Sequence, residues 1–272
     1  MAAPIVELRQ RAGNRPIPPD SAEHEQRSCP DHGAYSAAVW SRQVGRVLRR
    51  FESPCPACLA ELQALEAAES AERARAEAER LRGRLIASSG LGELYAGASL
   101  AGYLPATQMQ ERALRACRQW QDAMPANRGE GLILSGPCGV GKTHLMAVLL
   151  LEGVALGWSV RYVTVAEMIR GIRATWTDRA RSEDEVIREL VGVKLLAIDE
   201  LGVQAGSESE HGLLHAVIDA RLRARRPTLY GTNLSAKELP GAIGERALDR
   251  LRQVCRMVVI DGESFRRNRR VI

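Results

Sequence analysis

Aromatic residues are scarce in this chain. Two Phe, four Trp and five Tyr make up 4% of 272 residues, against 45% hydrophobic residues in all, so the core has to be built from aliphatic side chains. No apolar run reaches the ~20 residues that a membrane-spanning helix needs. The longest candidate, LMAVLLLEGVALGW, is broken by Glu152 and two glycines. Residues 1–20 are polar, hold four prolines and lack the apolar stretch of a secretory leader. These absences give the expectation of a cytoplasmic protein with no membrane contact. In that compartment the six cysteines stay reduced, and metal explains clustered ones better than disulfides do. There is no internal repeat. No helix-turn-helix signature is present either, which disfavours sequence-specific duplex reading.

What the chain does have is arginine. The formal net charge is +5, and the arginines cluster at 42–50, 221–226 and 266–270. Such clusters read either as a nucleic-acid footprint or as ordinary solvated faces. Organisation follows from composition. Residues 1–25 are Pro-rich and polar and read as a mobile tail. A compact stretch, 26–60, is bracketed by CPDHG and CPAC, with AYSAAVW and RQVGRVLRRF as its expected strands. The Ala-, Glu- and Arg-rich run that follows predicts an exposed helical linker over 61–90, closed by Gly83 and SSGLG. From 91 to 272, helix-like and buried strand-like segments alternate, which predicts an α/β fold with a parallel sheet covered on both faces.

The strongest motif is GPCGVGKTH. Gly136-x4-Gly141-Lys142-Thr143 is a complete P-loop, set between an expected strand, GLILSG, and an expected helix. Its glycines let backbone N–H groups turn inward around phosphates, while the helix aims its positive end at them. Gly136, Gly139, Val140, Gly141, Lys142, Thr143 and His144 are the nucleotide-binding candidates. Lys142 would pair with the β- and γ-phosphates and Thr143 would ligate Mg²⁺. Cys138 occupies a variable position and is expected to fill space. LLAIDE then supplies an acid at the end of a buried strand: Asp199 would hold Mg²⁺ through water and Glu200 would polarise the attacking water. A second carboxylate favours hydrolysis over binding alone. Asn233, ending the strand PTLYGTN, could orient the same water, touch the γ-phosphate, or simply form a turn.

Cys29-x2-His32 and Cys55-x2-Cys58, twenty-two residues apart, have the spacing of a Cys₃His zinc site. Full N/S ligation would make it structural, and a module this small could scarcely bury enough surface without a metal. Cys117 and Cys255 fall in apolar-periodic segments and are expected in the core.

Taken together, GPCGVGKTH, LLAIDELG, YGTNLS, IGERALDRLR and GESFR resemble the DnaC/DnaI/IstB branch of AAA+ ATPases over roughly 90–267. The resemblance implies ATP and Mg²⁺ as ligands and Asn233 as the sensor-1 residue. It implies Arg250 as an arginine finger reaching a neighbouring subunit, with Arg246 one turn earlier as the alternative, and Arg266 as sensor 2. With Ile272 six residues beyond Arg266, the expectation is a AAA+ P-loop sheet without a helical lid domain. The approach segment GLGELYAGASLAGYLPA lacks the basic–aromatic pair associated with loaders. A zinc-bearing module ahead of the ATPase is similar to DnaI-type and phage helicase loaders, which implies a hexameric replicative helicase, single-stranded DNA and self-assembly through the ATP site as partners. An expected helix over 166–181, with Arg170, Arg173, Trp176, Arg179 and Arg181, is the candidate single-strand contact. The rival readings are a transposition helper and a zinc adaptor in which ATP is only a structural ligand.

Overall fold

The computed structural model describes residues 18–177, 181–203 and 207–265. The chain forms two compact units that divide between Glu79 and Arg80.

The first unit is a three-stranded antiparallel sheet, β1 (Glu23–Cys29), β2 (Gly33–Val44) and β3 (Val47–Glu52), in that spatial order. β1 begins within the stretch read as tail. Its sequence, EHEQRSC, has no apolar alternation and lies largely at the surface, so pairing to β2 rather than side-chain pattern makes it a strand. Arg42–Val44 of the second expected strand belong to β2, and the chain turns at Gly45 (φ 64°) before β3. Arg42 and Arg49 stand opposite each other across this hairpin, and Val44 pairs with Val47. Helix α1 (Pro56–Ser88) follows. Proline at its first position already has helical φ and needs no N–H there. Only Cys58 and Leu62 are buried along it, in keeping with the expected exposed linker.

The second unit alternates helix and strand: α2 (Gln108–Ala123), β4 (Gly131–Ser135), α3 (Lys142–Ala155), β5 (Val160–Thr164), α4 (Val165–Ala174), α5 (Glu183–Gly192), β6 (Leu195–Leu201), α6 (Glu208–Arg223), β7 (Thr228–Thr232), α7 (Leu239–Ile243), α8 (Glu245–Val254) and β8 (Cys255–Val259). The five strands are parallel in the order β5-β6-β7-β4-β8. β4 is buried along its whole length. Its alternation divides the core: Leu132 and Leu134 pack with α2 and α3, while Ile133 packs with α4, α6 and α8. Short helices start cleanly because Thr107, Thr164 and Ser182 each form a reciprocal capping box. Among the described residues no helix is long and apolar enough to cross a membrane.

Four expectations are corrected here. The helix expected over 166–181 stops at Ala174, where Thr175 turns its hydroxyl back onto the Ile172 carbonyl; Arg179 lies outside the described residues. AIGERALDRLRQ is two helices, parted at Gly244 with φ 83°. Cys255 is half-buried at the edge of the core, whereas Cys117 is fully buried. The basic cluster 221–226 is not all surface: Arg221 is 1% exposed. Its guanidinium donates to the carbonyls of Leu190 (2.6 Å), Val193 (3.1 Å) and Pro227 (2.7 Å) and to Thr228 Oγ1 (2.8 Å). It thus pins the α5–β6 turn to the start of β7. Replacing Arg221 by Ala orphans these buried acceptors. Urea unfolding followed by circular dichroism should lose at least about 3 kcal/mol, and an unchanged transition would contradict this role.

Candidate nucleotide site and metal centre

The nucleotide candidates converge where β4, β6 and β7 end. β4 passes at Ser135 into residues 136–141, and α3 begins at Lys142. Lys142 is 7% exposed. Its ammonium donates to the carbonyls of Gly136 (2.7 Å) and Pro137 (2.8 Å) and to Asn233 Oδ1 (2.7 Å). An ammonium has three protons to give, so these oxygens hold it at the mouth of the loop, facing the position a phosphate would take. The Asn233 amide donates to Cys138 Sγ at 3.3 Å. Cys138 is exposed, which corrects its expected space-filling role.

Asp199, 4% exposed, is held on both carboxylate oxygens. Oδ2 accepts from Thr143 Oγ1 at 2.7 Å and from the Tyr162 hydroxyl at 2.9 Å; Oδ1 accepts from the Glu200 N–H at 2.8 Å. Burial and the neighbouring Asp199 charge push the Tyr162 phenol above its usual range, so it remains a donor. The β6–β7 register slips between Ile198 and Leu201. This bulge puts Glu200 at φ 59° and leaves it exposed beside the cavity. Opposite, Gly231 leaves room for the carboxylate: a Cβ there would collide with Asp199.

A cavity of about 660 Å³ joins these groups to Leu94, Tyr95, Tyr103, Leu104 and Phe265. The Tyr103 hydroxyl donates to the Val140 carbonyl at 3.0 Å, and its ring meets Phe265 edge-on at 5.5 Å. The Phe265 N–H in turn donates to the Gly139 carbonyl at 2.9 Å. One end of the cavity is therefore cationic and amide-rich, the other aromatic and aliphatic, which suits a triphosphate joined to a flat base. His144 lines it too, with Nε2 3.0 Å from the Ser99 carbonyl. Tyr95, Tyr103 and Tyr162 belong to none of the five landmark motifs and are brought in by the fold, whereas Phe265 comes from GESFR.

Arg246 and Arg250 do not line this cavity. Arg250 Nε lies 3.4 Å from Asp219 on α6, and Arg246 is exposed. Arg266 lies outside the described residues. Among the described lining residues Lys142 is the only lysine or arginine. In the candidate single-strand segment, Arg173 sits 5.9 Å from the Trp176 ring centre and 3.3 Å from Glu210, and Trp176 Nε1 donates to Glu183 at 3.0 Å. Arg181 pairs with Glu189. Much of that positive charge is already matched within the chain.

In the first unit Cys29, His32, Cys55 and Cys58 bring their ligand atoms within 4.8 Å of one another. Cys29 Sγ is 3.5 Å from Cys58 Sγ, and His32 Nδ1 is 3.6, 3.8 and 3.4 Å from the sulfurs of Cys29, Cys55 and Cys58. A tetrahedron with ~2.3 Å zinc–sulfur bonds has edges of about 3.8 Å, so the donors fit that ion. The far nitrogen of His32 lies 3.0 Å from Glu61, the carboxylate partner that commonly orients a ligating imidazole. The Asp31 backbone, joined by His32, holds the Cys29 thiol down to about 6 against its burial, favouring the thiolate that metals take.

Residues 100–271 match the family model described as IstB-like ATP binding protein. The chain belongs to the DnaC/IstB-type AAA+ ATPases. It is 31% identical to the replicative helicase loader DnaC of Escherichia coli K12 over 222 residues, 78% of this chain and 90% of that protein. The crystal structure of the DnaC helicase loader superposes with a TM-score of 0.57 at 24% identity, covering 62% of this chain and 99% of that one. The crystal structure of DnaI gives 0.55 at 23%, covering 62% and 94%. These confirm the AAA+ fold, in which residues 136–141 follow β4 and Asp199 lies near the C-terminal end of β6. For the metal centre, native mass spectrometry should find one zinc per chain in the intact protein and none after Cys55→Ser. A metal-free, folded first unit would contradict the site.

Proposed function

We propose that this AAA+ ATPase is a loader: it binds a hexameric replicative helicase and single-stranded DNA, and hydrolysis of ATP times release. The observation that carries this reading is the similarity to a helicase loader over 222 residues, a longer stretch than the ATPase match at 100–271. The Cys/His module is the second support, since Cys29, His32, Cys55 and Cys58 would hold a structural zinc ahead of the ATPase.

Thr143 and Asp199 would hold Mg²⁺, which supplies positive charge to the β- and γ-phosphates. Lys142 exchanges its carbonyl partners for phosphate oxygens. Glu200, aimed outward by the bulge, accepts the proton of the attacking water, and Asn233 orients that water from the end of β7. The cavity holds no arginine among its described residues, so the guanidinium that stabilises the transferring phosphoryl group comes from a second copy, supplied by Arg250 or by Arg246 one turn away. The output is an assembled complex in the cytoplasm.

A transposition helper is the second reading, favoured by the IstB description of the matching family model. Affinity capture with the cognate helicase separates the two. The loader reading expects a complex, and Glu200→Gln should prolong it in ATP while slowing phosphate release by ~10²-fold or more. No complex with or without ATP would overturn the loader reading. Unchanged phosphate release by the variant at saturating single-stranded DNA would favour the adaptor.

A further inference from the structure

The nucleotide motifs leave one contact unaccounted for. Tyr162 sits in β5, an edge strand of the sheet, and its hydroxyl donates to the same Asp199 oxygen that accepts from Thr143. Nothing in a P-loop or in an acid-ended strand calls for a phenol there. The backbone of this residue has a second engagement. Its N–H donates to the Ser89 carbonyl at 2.6 Å, and Gly90 (φ +78°) passes so close that a Cβ there would stand 2.7 Å from the Tyr162 carbonyl oxygen. Ser89 and Gly90 are the first two residues after α1. Leu85, Ile86 and Leu91 around them pack on the same core as α2 and α3. One residue therefore touches the end of the linker helix through its main chain and the magnesium carboxylate through its side chain.

We propose that Tyr162 is a positioning residue for Asp199, and that it couples the place of the linker's end to the nucleotide site. The inference rests on the Mg-ATP reading of that site and deepens it. The phenol fixes the Asp199 rotamer with one oxygen toward Thr143, so the carboxylate is oriented before Mg²⁺ arrives. Moving Ser89 and Gly90 moves the Tyr162 main chain, and the phenol carries the displacement to Asp199. The chain thereby has a route by which a pull on α1 alters metal affinity without touching the P-loop.

The test uses the full chain, a fluorescent non-hydrolysable ATP analogue and a magnesium titration. Tyr162→Phe keeps the ring and loses the hydroxyl. Binding of the analogue in EDTA should be unchanged, while the magnesium concentration for half-maximal tightening rises about tenfold, as expected for a lost hydrogen bond to a charged group. Gly90→Ala should shift the midpoint in the same direction, and in the Tyr162→Phe background it should add nothing. Should Gly90→Ala not fold, amide exchange on the unaltered chain takes its place: Mg-analogue should raise protection at 86–91 together with 160–164, and Tyr162→Phe should remove the rise at 86–91. A Tyr162→Phe titration that superimposes on the unaltered one overturns the proposal, and so do an undiminished Gly90 effect or an undiminished rise at 86–91 in the Tyr162→Phe background. Absence of magnesium-dependent binding in the unaltered chain would remove the nucleotide reading and this inference with it.

Discussion

Two hydrogen bonds on one carboxylate oxygen organise the ATPase unit. Thr143, from the first turn of the helix after the P-loop, and Tyr162, from the edge strand, both donate to Asp199 Oδ2. A buried carboxylate is costly unless its oxygens are satisfied, and here the sheet brings the donors to it. Strand β6 lies between β5 and β7, so Asp199 has Tyr162 on one side and Gly231 on the other. Because Gly231 has no side chain, Asp199 can lean across β7. The bulge that follows turns Glu200 out of the sheet without a break in the strand. Asp199 and Glu200, the proposed metal-holding and water-activating acids, thus sit on consecutive residues yet face different surroundings, one buried and one exposed. Such a division of labour is what phosphoryl transfer requires.

The Cys/His unit obeys a different constraint. Its buried cluster consists of Cys29, Cys55, Cys58 and Leu62, with Tyr35 and Ala57 packed alongside. Cores of this size do not hold a three-stranded sheet by hydrophobic burial alone. A metal held by the four donors at this spacing would supply the missing cross-link, tying the β1–β2 turn to the start of α1. Glu61, one turn along α1 from Cys58, sets the imidazole. A metal there would join the sheet to the start of the helix.

Much of this was legible in the sequence, and the boundary is physical. The P-loop, Asp199 with Glu200, Asn233 and the two knuckles could be read because each depends on short-range spacing along one segment. The order of strands and helices could be read because β4, β6 and β7 are short buried segments set off by glycine, proline or polar residues from longer helical ones. β1 could not, since EHEQRSC owes its conformation to its neighbour. Arg221 looked like surface charge because its partners are main-chain carbonyls, which leave no trace in sequence. Tyr95, Tyr103 and Phe265 reach the cavity from opposite ends of the unit, and Tyr162 reaches Asp199 from another strand; such convergence exists only in three dimensions. The helix expected over 166–181 failed at Ala174 because Thr175 and Thr177 both bond back to carbonyls three residues before them, a local alternative to continuing the helix.

Each chain holds its candidate finger, Arg250, against Asp219 on α6 and not in its own cavity, so on the proposed reading ATP turnover depends on a second copy. The most direct measurement is ATP turnover per chain as chain concentration rises, with and without single-stranded DNA, for the unaltered protein and for Arg250→Ala. Turnover per chain should climb with concentration and DNA. In the variant it should stay low, reduced by about 10³-fold, and recover when Lys142→Ala chains, which keep Arg250 but cannot hold nucleotide, are mixed in. Full turnover at dilutions where the protein is a monomer, indifferent to DNA and to the loss of Arg250, would contradict it.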